Sequence, residues 1–415
     1  MLDLDEDGVI VFFGTMNAMP MMYARELVKV GQRVVYFVDV GPDDVLSRPE
    51  NHFPTINYPY PDWIVECVIP SPLLVSFFPG LVMRWMLTRA GLDSAGRGIK
   101  AVFASGNFVS LLPRFDRRVQ RFFLSFGSDL DVWCNRQKIA DLQEGVRHRW
   151  KLLSCMPRAV SKFLVAHVIE QGRAAAGVAD AVIFFPRGMS PAGDEVINEL
   201  QSEGVKYVTR YDVSFEPLLP ARREFKRGGS PLVVFSGVRF LFESMSPANQ
   251  DEYKGNDLII RGLALYCKRN ADIRIHFVEK GPDVEAAKQL CARVGIADKV
   301  VWHPEMPFRE LLKLYESSDI CFDQVGKHWV GAIGVYALYL GKPLIANARN
   351  LSFLRNAPIF DASTPEEIFQ QMVRLESEAL RLQTWSRAKE YAEANFGPLR
   401  VLDELTGGAM SARGY

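Results

Sequence analysis

The stretch from His328 to Ala346, HWVGAIGVYALYLGKPLIA, is a helical run of apolar residues that ends in Leu-Gly-Lys-Pro and passes straight into a short apolar strand. Gly341 fits the position after a helix end, where φ > 0 is often needed, and Pro343 stops the helix from continuing. At the other end, Gly331 and Gly334 leave room for a ligand to approach the backbone. The unpaired N–H groups of a helix start, with a partial charge of roughly +0.5, point to that place. An anion, a phosphate above all, suits it. The alternative is a buried helix whose small residues serve packing alone.

Upstream of this stretch, strands and helices alternate. Strands are expected at 232–236, 273–278, 299–302 and 319–322, with helices at 257–269, 284–294 and 308–317 and a polar loop over 243–255. Downstream, Thr364-Pro365-Glu366-Glu367 opens a helix with a capping-box-like pattern, and another helix follows over 380–395. Such alternation predicts a doubly wound α/β domain with a parallel sheet.

The first half of the chain opens on the same plan. Gly8 to Phe13 is a continuous apolar run, as in a strand buried on both faces. Gly14-Thr15-Met16-Asn17 turns into a helix over 20–30, and a strand follows at 33–38. Further strands are expected at 99–104, 121–125, 181–185 and 206–209, with 137–178 mostly helical. Residues 48–72, rich in Pro, Asn and Tyr, read as a long surface loop. There is no G-x-G-x-x-G, so a dinucleotide site is not indicated. The expected organisation is therefore a first Rossmann-like domain over 1–211, a linker over 212–230 where the hydrophobic period lapses, a second Rossmann-like domain over 231–395, and a segment over 396–415 that could cross back to the first.

Composition sets the outer limits. A chain of 415 residues is too long for one ordinary core, and 48% apolar with 24% charged residues is globular. Basic and acidic residues balance at 49 each, which gives no reason to expect a nucleic-acid partner. Locally the balance breaks: residues 1–83 carry 4 Lys/Arg against 11 Asp/Glu, and residues 84–173 carry 16 against 7. The six cysteines are scattered without a C-x-x-C pair, so neither a zinc site nor a disulfide framework is signalled. The acidic start lacks the order of a signal peptide, and no apolar stretch reaches the ~18–20 residues of a membrane span. The closest, 73–87, is broken by Pro79-Gly80 and carries Arg84. A cytoplasmic protein, at most at the cytoplasmic face of a membrane, is expected.

An ordered set of short pieces resembles family 4 of the retaining glycosyltransferases, which use sugar nucleotides and have the GT-B arrangement of two Rossmann-like domains facing a cleft. The pieces are Ser236-Gly237-Val238-Arg239, Lys254-Gly255-Asn256-Asp257, Gly295-Ile296 before Lys299-Val300-Val301-Trp302, Leu314-Tyr315 before Ser318-Asp319-Ile320, Asp323-Gln324, Gly331, Leu340-Gly341-Lys342-Pro343, and Ala357-Pro358 through Ile368. The resemblance covers 231–400 well and the first domain weakly, through the opening βαβ, Gly127-Ser128-Asp129 and the strand after Ala179-Asp180. It implies that Arg239 and Lys254 bind the diphosphate of a nucleoside-diphosphate sugar, with amides near Gly331 and Ala332 adding to them and Gly14 and Thr15 facing the same phosphates across the cleft. Fixed cations and N–H donors aimed at the leaving diphosphate lower the barrier to breaking the sugar–phosphate bond. Arg grips phosphate through two donors and Lys acts as a point charge.

The chain departs from the family at two glutamates, eight residues apart; the aligned positions are His328 at the sugar end and Tyr336 at the ribose. Exchanging a charge-assisted hydrogen bond for a neutral one alters ribose recognition by about 1 kcal/mol. Retention can proceed with the leaving phosphate taking the acceptor's proton; if a protein base serves, Asp129 is best placed, at the end of a strand. Asp129-Leu130-Asp131 also reads as the D-x-D of a metal-binding transferase fold, but the two-domain layout argues against that reading, and no metal or other cofactor is expected.

On the acceptor side, a glycan or a lipid-linked molecule is expected. Residues 144–163, with Arg147-His148-Arg149-Trp150-Lys151, Leu152-Leu153, Arg158, Lys162 and Phe163, interleave basic and large apolar groups. They suit peripheral contact with anionic lipid, or equally a helix packed on its own domain. Two other readings stand beside the transferase: a sugar-nucleotide epimerase or phosphorylase-like enzyme on the same plan, and a transferase-like binding subunit that lost activity with the two glutamates.

Overall fold

The computed structural model describes residues 1–44, 47–71, 73–149, 155–214, 216–218, 224–225, 231–245, 253–326 and 330–413. The chain forms two compact units, Met1–Ser214 with Gly397–Tyr415, and Phe215–Phe396.

In the first unit the described residues form a seven-stranded parallel sheet of order β3-β2-β1-β4-β5-β6-β7. Its strands are β1 (Val9–Phe13), β2 (Arg33–Val38), β3 (Ile64–Glu66), β4 (Ile99–Ala104), β5 (Gln120–Leu124), β6 (Ala181–Phe184) and β7 (Lys206–Thr209). β1 and β4 sit at the centre and are buried at every residue. Their side chains alternate between two cores. Val9, Val11, Phe13 and Val102 join one, and Ile10, Phe12, Ala101 and Phe103 join the other. Burying each such large apolar side chain stabilises by about 1.5–3 kcal/mol, so a continuous apolar run is driven to a strand covered on both faces.

One face is covered by α1 (Pro20–Lys29), through Met21, Tyr23 and Leu27, and by α14 (Pro398–Thr406), through Val401, Leu402 and Leu405. The Leu2 amide also donates to the Leu405 carbonyl at 2.7 Å. This helix near the end of the sequence is thus part of the first unit's core. The opposite face takes α3 (Pro79–Arg89), α6 (Arg158–Val178) and α7 (Pro191–Ser202), with α2 (Leu73–Phe77) beside α3. Two short helices lie along the path between β5 and α6: α4 (Ser128–Asp131) and α5 (Ile139–Arg149).

Residues 48–71 differ from the surface loop the sequence suggests. Phe53 and Ile56 are buried, and β3 adds a strand to the sheet edge. Arg48, only 3% exposed, bridges Glu50 and Glu66 at 2.6 Å each. The segment is too short in apolar period to announce a strand, and its packing is supplied by single side chains far apart in sequence.

In the second unit the described residues form a six-stranded parallel sheet of order β10-β9-β8-β11-β12-β13. The strands are β8 (Leu232–Ser236), β9 (Ile273–Val278), β10 (Val300–His303), β11 (Ile320–Phe322), β12 (Leu344–Ala346) and β13 (Ile359–Asp361). The helices are α8 (Asn256–Arg269), α9 (Val284–Arg293), α10 (Phe308–Ser317), α11 (Ala332–Tyr339), α12 (Pro365–Arg374) and α13 (Glu378–Asn395). Thr364 caps α12 by accepting from the Glu367 amide, as its sequence suggests, and Gly341 follows α11 at φ +75°. The fold class is α/β, with two doubly wound, Rossmann-like units.

Candidate functional site

In an open parallel sheet, ligands bind beyond the strand C-termini, where the strand order reverses direction. The second sheet runs β8, β9, β10 to one side, then returns to β11, β12, β13 on the other. Its switch point therefore lies between β8 and β11. The loop after β8 carries Gly237, Val238 and Arg239, and the loop after β11 carries Asp323 and Gln324.

Three backbone links assemble this place. The Lys254 amide donates to the Leu241 carbonyl at 3.0 Å, and the Val325 and Gly326 amides donate to the Lys254 carbonyl at 3.1 and 3.2 Å. A Cβ on Gly255, at φ +73°, would lie 2.5 Å from the Gly326 nitrogen, so only glycine permits the approach. A Cβ on Gly237 would lie 3.6 Å from Ile333 Cδ1, in the first turn of α11. The backbones carrying Arg239, Lys254, Gly331 and Ala332 thus converge. Arg239 and Ala332 are exposed, while Lys254 and Gly331 are half-buried. The Arg239 guanidinium makes no ion pair among the described residues.

The start of α11 differs from the open anion site that the sequence suggests. Asp323, 3% exposed, accepts from the Gly331 amide at 2.6 Å and the Gly334 amide at 3.1 Å. Burial raises its carboxyl above the usual range; the Gln324 and Gly331 amides, the Lys254 charge and the Gly334 amide pull it back. An internal carboxylate therefore takes two of the amides expected to meet a ligand, and Lys254 lies close enough to act on it. Tyr336 is in α11, its ring edge-on to Phe308 with centroids 5.2 Å apart, and burial pushes its hydroxyl up to about 12. His328 lies outside the described residues.

The first sheet switches direction between β1 and β4. A Cβ on Gly14, at φ +90°, would lie 2.6 Å from the Ser105 carbonyl oxygen, which brings the two strand ends into contact. The Thr15 amide and hydroxyl both donate to Asp39, and Thr15 is 2% exposed. Both of its donors are turned inward, whereas the sequence reading has them face a phosphate. Burial raises the Asp39 carboxyl despite these bonds.

Next to this turn stands Asp129, 4% exposed, in α4. Its Oδ2 accepts from the Gly106 amide at 3.1 Å and the Phe126 amide at 3.3 Å. Its Oδ1 is buried without a partner among the described residues. Burial raises its carboxyl, opposed by the two amides and by the Arg210 charge. A carboxyl raised in this way is a better proton acceptor than an ordinary aspartate. Asp131 turns away, its Oδ2 accepting from Ser190 at 2.8 Å. Among the described residues no group of three metal-ligating side chains forms.

Neither a protein-family model nor a curated protein matches the sequence. Solved structures do. Sucrose-phosphate synthase from Thermosynechococcus elongatus matches at TM-score 0.59 and 14% identity, over 98% of this chain and 100% of that one. WaaG, a glycosyltransferase involved in lipopolysaccharide biosynthesis, matches at TM-score 0.54 and 13% identity, over 96% and 100%. A protein described as a UDP-N-acetylglucosamine 2-epimerase from Listeria monocytogenes matches at TM-score 0.55 and 10% identity, over 97% and 96%. The likeness is one of fold: two Rossmann-like domains of the GT-B type.

Sequence reasoning missed the groups that hold these sites in shape. Arg210 is fully buried at the end of β7, stacked on Phe126 with its guanidinium carbon 4.2 Å from the ring centroid. It donates to Asp212 at 2.6 Å and to the Ser125 carbonyl at 2.9 Å, while the Tyr23 hydroxyl donates to Asp212. The network ties α1 and β7 to the turn before Asp129. An Arg-Tyr-Asp run closing a predicted strand is the signal, hidden because the apolar period ends there. Asp323 was visible as an acidic residue just after β11, eight positions before Gly331.

Proposed function

We propose that the chain is a glycosyltransferase that moves a sugar from a nucleoside-diphosphate sugar to a glycan or lipid-linked acceptor, with retention of configuration and without a metal ion. The observation that carries this reading is the second unit's switch point, where the exposed Arg239 and the half-buried Lys254 stand on loops tied together by backbone hydrogen bonds. A guanidinium and an ammonium held there suit a diphosphate, whose charge grows as the sugar leaves. The Ala332 amide adds to them at the exposed start of α11. Because Gly331 already donates to Asp323, it shapes the turn rather than holding the donor.

In the reaction, the acceptor hydroxyl oxygen bonds to the anomeric carbon on the face from which the diphosphate departs. The carbon–oxygen bond to the diphosphate breaks, and the hydroxyl proton passes to the leaving phosphate oxygen or to Asp129. At the two sequence positions where the resembled family has glutamates this chain has His328 and Tyr336, so no carboxylate from those positions meets the donor.

The membrane part of the reading rests on only some of the residues that suggest it. Arg147 turns inward to the Met156 carbonyl at 2.7 Å, and Trp150, Lys151, Leu152 and Leu153 lie outside the described residues. Phe78, Leu81 and Trp85 on and before α3, with Phe163 on α6, are 54%, 66%, 48% and 65% exposed. Arg84, Arg89 and Lys162 are exposed beside them in sequence, and no Asp or Glu occurs between Glu66 and Asp93. Large apolar groups with basic neighbours, and without acids along the α2–α3 stretch, fit an anionic bilayer surface. Among the described residues no helix is long and apolar enough to cross a membrane.

Epimerisation of a sugar nucleotide is the second reading, favoured by the similar fold match to the Listeria protein. Proton NMR of the protein with a panel of nucleoside-diphosphate sugars tests both. A donor consumed to a product with the donor's anomeric configuration is the expected result. A 2-epimer of the intact donor favours the second reading, and inversion removes the retaining mechanism. No turnover of any donor with an acceptor mixture leaves a binding subunit.

A further inference from the structure

The first unit contains a cavity of about 570 Å³, within the ~300–1,000 Å³ of small-molecule pockets. Helices α2, α5 and α6 and the segment after β4 enclose it. Val109, Val146, Leu164, Val165 and Val168 give it an apolar body. Ser128, Asp129 and Asn107 form a polar end. The polar end is built around the carboxylate whose Oδ1 is buried without a partner among the described residues. An unpaired buried acceptor costs free energy, about 1–3 kcal/mol, unless a donor reaches it. Ser71, Ser76, Ser110, Asp141 and Gln171 also line it, the Ser110 hydroxyl being spent on the Val75 and Asn107 carbonyls.

We propose that this cavity binds an amphiphilic acceptor, with its hydroxyl donating to Asp129 Oδ1 and its hydrocarbon arm lying among the valines of α5 and α6. This rests on the transferase reading and narrows its acceptor to a molecule with an apolar aglycone. A free oligosaccharide leaves the apolar body unfilled. Water alone satisfies Asp129 but wets an apolar wall. The exposed residues Phe78 and Phe163 flank the same helices, so an acceptor lying in a bilayer has a short route to the cavity.

Gly145 on α5 lines the cavity, and a Cβ there meets nothing within 4 Å. Gly145→Phe therefore adds a ring at the cavity lining from a position whose Cβ has room, and Gly145→Ala leaves the cavity open. Calorimetry with n-butyl, n-hexyl and n-octyl β-D-glucoside below their micelle concentrations tests the proposal. Wild type and Gly145→Ala are expected to bind about fourfold tighter for each methylene added. Gly145→Phe is expected to lose that dependence, and Leu164→Trp, which fills the cavity from α6, serves if the first variant fails to fold. Chain-length dependence retained in both filled variants places the alkyl chain on the exposed face and overturns the proposal, as does its absence in wild type. Nucleoside-diphosphate binding measured on the same samples keeps the two readings apart. Its absence with alkyl binding intact removes the transferase reading, and its presence with no alkyl binding removes only the cavity.

Discussion

Asp129 and Arg210 show how single residues set the chemistry of the first unit. The Asp129 carboxyl is lifted by burial, so its folded-state pKa exceeds that of the unfolded chain. Ionisation is thus a cost to the fold: stability falls as pH rises from the ordinary aspartate value through the raised one. As a base it works only when ionised, so the rate falls in acid through that same raised value. Asp129→Asn is expected to remove the acid limb from the pH profile of kcat/KM and to lower the rate by roughly 10²-fold or more. An unchanged limb in the Asn variant assigns the proton to the leaving phosphate. Arg210 acts through packing and charge. Arg210→Met leaves the buried Asp212 without its counter-charge, held among the described residues only by the Tyr23 hydroxyl, and unfolding in urea is expected to register a loss of about 3–5 kcal/mol. A loss below about 1 kcal/mol contradicts the role given to the network.

At the scale of elements, α8 and α12 pack so closely that a Cβ on Gly262 would lie 2.5 Å from Ile368 Cγ2 and 3.0 Å from the Pro365 carbonyl oxygen. Gly262→Val is expected to force the helices apart and cost about 1–3 kcal/mol in a denaturant titration. Most elements of the second unit were legible in the sequence because β8, β9 and the flanking helices carry long apolar periods with clear stops at Gly295 and Gly341. The strands β3 and β13 were not: each is three residues long without the apolar run that marks β11 and β12, and only their neighbours in the sheet reveal them. The segment 73–87 read as one broken apolar run, and Pro79 opens the second of the two helices, α2 and α3, that it forms. The candidate site was legible in its cations and its glycines, whose types follow from diphosphate chemistry and tight turns. It was not legible in Asp39, Asp323 and the Arg210 network. Asp39 meets Thr15, 24 positions away, Asp323 meets Gly331, 8 away, and Arg210 meets Ser125, 85 away; apart from the Arg-Tyr-Asp run no local pattern records such pairings.

At the scale of the whole molecule, the exposed apolar face of α3 and α6 is expected to bring the protein to anionic vesicles at low salt. Wild type should sediment with vesicles containing phosphatidylglycerol and be released as salt rises past the range where charges are screened. Replacing Leu81, Trp85 and Phe163 by serine should abolish sedimentation, and wild type remaining in the supernatant removes the membrane reading. The central claim is that a diphosphate sits at the switch point of the second sheet, held by Arg239 and Lys254. Isothermal calorimetry with a panel of nucleoside diphosphates tests it most directly. The account predicts that one of them binds wild type and that Arg239→Ala and Lys254→Ala each weaken it at least tenfold, about 1.4 kcal/mol. Binding left unchanged in both variants, or no nucleoside diphosphate bound at all, would contradict it.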